Sequence, residues 1–71
     1  MSTAKELHAK IIKLTCWDKI IFRIIGDVDG RHVDELGHQM DCDNMQDAIA
    51  IVRGIATRNR WTLRAEIVDR T

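Results

Sequence analysis

The run Lys19-Ile20-Ile21-Phe22-Arg23-Ile24-Ile25 constrains the fold more than any other stretch of the chain. It is β-branched and aromatic, too short to stand as a helix, and apolar on both parities apart from Arg23. A strand with two apolar faces belongs inside a sheet, so the rest of the chain must be arranged around it. Only 71 residues exist to do this. That is room for a single domain spanning 1–71, with a thin stability margin that favours association.

The central strand is expected to end at Gly26, with a second strand from about Arg31 to Met40. Asp29-Gly30 suits a two-residue type I′ turn. Carried along two continuous strands, that register sets Phe22 against Gly37 and Ile24 against Glu35, which mixes the faces. A three-residue loop, Val28-Asp29-Gly30, with Gly30 left-handed in a G1 bulge, pairs Asp27 with Arg31, Arg23 with Glu35, Ile25 with Val33 and Phe22 with Leu36. The sequence therefore favours the three-residue loop.

Two helices are expected beside this hairpin. Thr3-Ala4-Lys5-Glu6 fits a capping box, and Ala4, Leu7, Ile11 and Leu14 follow at helical spacing, which predicts a helix over about 3–14. Asp43-Asn44-Met45-Gln46 is a second cap signal with Asp47 in the first turn. Met45, Ala48, Ile49, Val52, Ile55 and Ala56 then mark one helix face ending near 58–60. Trp61 to Val68 alternates, with Trp61, Leu63, Ala65 and Ile67 on one side, as a half-buried strand does.

The expected fold is thus α+β, a two-layer sandwich in α-β-β-α-β order. Its three-stranded antiparallel sheet has order 2-1-3 and carries two helices mainly on one face. Its core should hold Leu7, Ile11, Leu14, Ile20, Phe22, Ile24, Leu36, Met45, Ile49, Val52, Ile55, Leu63 and Ile67.

Formal net charge is zero, with eleven basic and eleven acidic residues, which speaks against bulk attraction to nucleic acid or anionic membrane. The sum hides a pattern. Residues 1–24 are net +3, residues 25–52 net −6 and residues 53–71 net +3. No apolar run is long enough to cross a membrane, and the first residues lack the pattern of a signal peptide, so a cytoplasmic location is expected. Cys16 and Cys42 form no disulfide framework and read as reduced thiols.

Chemical motifs are sparse, and no cofactor, metal or catalytic site is assigned. His32 and His38 would lie about 20 Å apart on one strand, too far to share an ion. His38 with Cys42 lacks the third and fourth ligands of a zinc site, and His38 reads as a half-buried, hydrogen-bonded side chain. Asp27-Val28-Asp29-Gly30 does not place a calcium loop's ligands when Gly30 is set at its glycine position. Asp34 and Glu35 are adjacent, so on a strand they face opposite ways. Cys16 beside Trp17, just past the expected helix, lacks an activating helix N-terminus. An enzyme is not expected.

What remains is surface. Ile21, Ile25, Val33 and Val68 should cluster on the open sheet face, more aliphatics than a solvated face needs. The leading expectation is a small protein–protein interaction module, homodimeric, acting as a regulator or inhibitor by surface occlusion, of the kind phages and mobile elements make. Its contacts would be Ile21, Ile25, Val33 and Glu35 with the acidic Asp27, Asp29 and Asp34. The competing reading is a sheet-based nucleic-acid binder using Arg23, Arg58, Arg60 and Arg64. A designed chain without biological function is the third, although two cysteines, three methionines and uneven surface charge are less regular than an idealised design.

Overall fold

In the computed structural model, which describes residues 5–37 and 39–71, the chain is α+β with one helix and a mixed five-stranded sheet. Its elements are β1 (Glu6–Cys16), β2 (Lys19–Val28), β3 (Arg31–His32), a 3-10 turn (Asp34–Leu36), β4 (Met40–Cys42), α1 (Met45–Asn59) and β5 (Thr62–Asp69). The sheet runs β3-β2-β1-β5, with β4 also paired to β2. The Ile-rich strand is interior, as its two apolar faces require.

The largest correction is the first element. Residues 6–16 form a strand, not a helix, and one helix covers the sheet rather than two. Leu7, Ala9 and Ile11 alternate as well as Leu7, Ile11 and Leu14 recur, so both periods were available. The strand reading prevails because β1 finds neighbours on both sides. It pairs antiparallel with β2, Ile11 opposite Ile24, and parallel with β5, Ile11 opposite Ile67. The last strand therefore lies beside β1 and not beside the Ile-rich strand, and the expected 2-1-3 order gives way.

The second correction is the hairpin after β2. Asp29 and Gly30 both take positive φ, and Val28 pairs with Arg31. That is the two-residue turn, not the G1 bulge. Mixed faces would arise only along a long second strand, and β3 stops after two residues. The chain turns through the 3-10 segment and Gly37, at φ +61°, then returns as β4 with Phe22 opposite Cys42 and Arg23 opposite Asp41. β2 also continues past Gly26, where a Cβ would come within 2.7 Å of Leu36 Cδ1. Glycine there gives the 3-10 turn's leucine room against the sheet.

α1 begins and ends as the sequence indicates. Asn44 is the N-cap, its side chain accepting from the Asp47 N–H at 2.8 Å. At the C-terminus Arg60 sits left-handed at φ +57°, and the Arg60 and Trp61 N–H groups donate to Thr57 and Ala56 carbonyls in a Schellman arrangement. The helix packs Ala48, Val52, Ile55 and Ala56 against Leu7, Ala9, Ile11, Ile24 and Val28 of the sheet. Leu7, Ile11, Ile24, Val52 and Ile55 are the largest fully buried side chains, each worth about 1.5–3 kcal/mol of burial. Of the expected core, Leu14 is only half-buried, while Ile20 and Ile67 are exposed. Leu14 faces away from the helix, and Ile20 and Ile67 lie where their strands run beyond its cover.

Candidate functional site

Among the described residues one helix covers one face, and nothing packs over the opposite sheet face, the bare face. Its side chains come from the even positions of β1 and β5 and the odd positions of β2. Ile12 lies at its centre, flanked by Arg23 on β2 and Val68 on β5. Ile12 is only 7% exposed yet lies outside the helix-side core, so its own neighbours on the bare face bury it. Leu14 faces Ile21 one step along, and Ile25 faces Lys10 on the other side. Together they make an aliphatic stripe along the sheet.

The stripe runs into a projecting ribbon. β5 stops opposite Lys13 and β4 opposite Phe22, so residues 14–21 are only two strands wide. This arm helps give the described chain its 49 × 21 × 18 Å extents. A salt bridge from Lys19, beside the tip, to Asp43 at 3.2 Å ties the arm to the loop before α1. At its tip Trp17-Asp18 forms a two-residue turn, in which Trp17 has φ +59° and is 94% exposed. Positive φ at the first turn residue is normally left to Gly or Asn. Trp17 is thus unfavourable twice over, in backbone conformation and in exposed apolar surface.

Sequence reasoning missed Trp17, Ile12 and Leu14, because a helix over 3–14 placed the first outside the fold and the others in the wrong layer. The available signal was the pair Trp17-Asp18 between two apolar runs.

The expected contact residues divide. Ile21 and Ile25 lie half-buried on the bare face, and Asp27 shares it opposite His8 and His32. Val33 does not join them. It is 6% exposed and packs in the helix-side core beside Leu36, since the segment leaves the sheet at His32. Asp29 lies in the turn, 3.8 Å from Lys5, while Asp34 and Glu35 open the 3-10 turn. Glu35 pairs with Arg58 and accepts from Asn59 at 3.3 Å. The bonds from Arg58 and then Asn59 hold its carboxyl below the usual carboxylate range.

The acidic block is therefore not a free surface. Lys5 pairs with Asp29, Lys19 with Asp43, Arg23 with Asp41 and Arg58 with Glu35, so the basic ends fold back onto the acidic middle. The segregated charge is spent largely inside the molecule.

The same pairing bears on the arginines. Arg23 donates to Asp41 from Nε at 2.9 Å and from its terminal nitrogen at 3.3 Å, and that bond holds the guanidinium still more firmly protonated. Arg58 is engaged by Glu35, and Arg60 caps the helix. Arg64 shares the bare face with Arg23 but lies across β1 from it and four positions along, opposite His8 rather than Ile12. Strand geometry makes that roughly 16 Å. The four arginines do not gather into one stripe.

Among the described residues no three His, Cys, Asp or Glu side chains converge as a metal site would need, and no helix is long and apolar enough to cross a membrane. His38 lies outside the described residues. Both cysteines are free. Cys42 is buried on β4, and burial, then Asp47, Asp41 and Asp43, push its thiol up. A depression of about 490 Å³ between Met40, Ile51, Gly54 and Arg58 is lined mostly by apolar side chains on the flank of α1.

Comparison of the chain with protein-family models, curated proteins and solved structures finds no match, so the functional argument rests on this surface alone.

Proposed function

We propose that the chain is a protein-interaction module that docks on another protein through the ribbon tip and the aliphatic stripe, acting as a regulator or inhibitor by occlusion. The observation that carries this reading is Trp17, 94% exposed at positive φ on the end of a two-stranded arm. A strained, exposed aromatic costs folding stability and gives the isolated fold nothing in return. Interface hot spots are enriched in tryptophan, where a large rigid side chain fills a partner's pocket. Behind it, Leu14, Ile21, Ile25 and Val68 continue the apolar contact, with Lys10, Arg23–Asp41 and Glu66 as a charged rim. The partner this surface fits presents an apolar cleft wide enough for a hairpin arm.

The test is affinity capture from cells of the source organism using wild type, Trp17→Gly and Ile21→Arg in parallel. A protein retained by wild type and lost from both variants is the expected result. Equal recovery by all three would remove the ribbon and stripe from the account.

A further inference from the structure

The two edges of the sheet are built differently. One consists of β3 and β4, two and three residues long, interrupted by the 3-10 turn and Gly37. Short, broken edge strands deny a template to other chains. The other edge is β5, eight residues in unbroken parallel register with β1, from Thr62 opposite Glu6 to Asp69 opposite Lys13. It contains no proline and no lysine, and no described strand lies beyond it. The Thr62 and Arg70 N–H groups donate to Lys5 and Lys13 carbonyls, so even-numbered residues of β5 turn their backbone inward to β1. Leu63, Ala65 and Ile67 therefore aim their N–H and C=O groups outward.

We propose that this edge pairs antiparallel with β5 of a second copy about a two-fold axis through Ala65. The register follows from the side chains. Centred on Ala65, Arg64 lies opposite the second copy's Glu66, Leu63 opposite its Ile67, and each contact occurs twice. Centring on Arg64 or Glu66 sets like charges against each other on the axis. Centring on Ile67 sets Arg64 against Arg70 and Ala65 against Asp69, and centring on Leu63 leaves Ile67 uncovered. One register satisfies both faces.

The rows that result extend the existing packing. On the helix side Ile24, Ile11 and Ile67 continue into the second copy's Leu63 and Leu7, which covers an isoleucine 57% exposed in the single chain. On the bare side Lys10 and Glu66 continue into the second copy's Arg64, His8 and Asp27, a row in which Glu66 lies between Lys10 and that Arg64. Arg64 and Glu66 fall at a non-hydrogen-bonded pair, where facing side chains are closest. A two-fold axis normal to the sheet keeps both helices on one face and leaves both ribbons free. The proposal rests on β5 and not on Trp17, so it and the docking reading fail separately.

Sedimentation velocity over a concentration series tests it, on wild type, Arg64→Glu, Glu66→Arg, the double reversal and Ala65→Pro. Wild type should reach twice the 8.2 kDa monomer mass. Each single reversal sets like charges opposite each other twice and should weaken the dimer about tenfold or more, while the double reversal restores it. Ala65→Pro removes only an outward N–H, so the β1–β5 ladder survives and the protein should be a folded monomer by circular dichroism. It stands as the decisive variant should a charge reversal fail to fold. A wild type that stays monomeric throughout, or a folded Ala65→Pro that dimerises like wild type, overturns the proposal.

Discussion

Replacing Trp17 with glycine should make the protein more stable. The backbone at Trp17 has φ +59°, a region glycine adopts freely and other residues occupy at a cost of about 1–3 kcal/mol. Glycine in turn loses more chain entropy on folding, roughly 0.5–1 kcal/mol. The side chain is 94% exposed, so removing it sacrifices almost no packing. The balance is a gain of about 0.5–2 kcal/mol, and each kcal/mol should raise Tm by ~4–8 °C in a domain of this size. Urea titration and scanning calorimetry of the two proteins read the change directly. The reasoning is refuted if Trp17→Gly loses ~1 kcal/mol or more, because Trp17 would then be serving the fold. A gain in stability together with a loss of partner capture is the signature of a residue kept for contact.

Other consequences are simpler to check. Arg60 holds the left-handed C-cap of α1 that glycine usually occupies, so Arg60→Gly should stabilise by about 0.5–1 kcal/mol in the same titration. Leu7→Ala should destabilise by about 2–5 kcal/mol, since Leu7 is fully buried against α1; a loss below ~1 kcal/mol would contradict that burial. Glu35 has a depressed folded-state pKa, so its contribution is complete above the ordinary carboxylate range and fades as pH falls through the lowered value. Glu35→Gln should accordingly flatten the acid limb of the stability profile relative to wild type.

How much of this was legible in the sequence depends on how local each signal was. The helix over 45–59 declares itself through Asn44, Asp47 and a six-position apolar face, all within one segment. The interior position of β2 follows from its own two apolar parities, and the alternation from Trp61 onward marks β5. The segment 6–16 carries both a helical and a strand period, and the choice between them is made by β5, some fifty residues away in sequence, which supplies the parallel neighbour. The hairpin register differs from the expected one for a related reason. Asp29-Gly30 is a good two-residue turn, but 31–40 does not stay in the sheet: it leaves after His32 through the 3-10 turn and returns only at Met40.

The candidate surface inherits these errors. A bare face with Ile21 and Ile25 was foreseen, while Val33 left it and Ile12, Leu14 and Trp17 entered only once 6–16 became a strand. The charge pattern was visible, but its partners were not. Arg23 meets Asp41 rather than Glu35, and the acidic block is bound largely to the chain's own ends.

The most direct measurement is the fluorescence of Trp17 in a Trp61→Phe variant, where Trp17 is the sole tryptophan. In the free protein its emission should be that of a solvated indole and fully open to iodide quenching, in keeping with 94% exposure. On addition of the captured partner the emission should shift to the blue and the quenching should be lost. A partner that binds with full affinity while Trp17 stays red-emitting and quenchable would contradict the account.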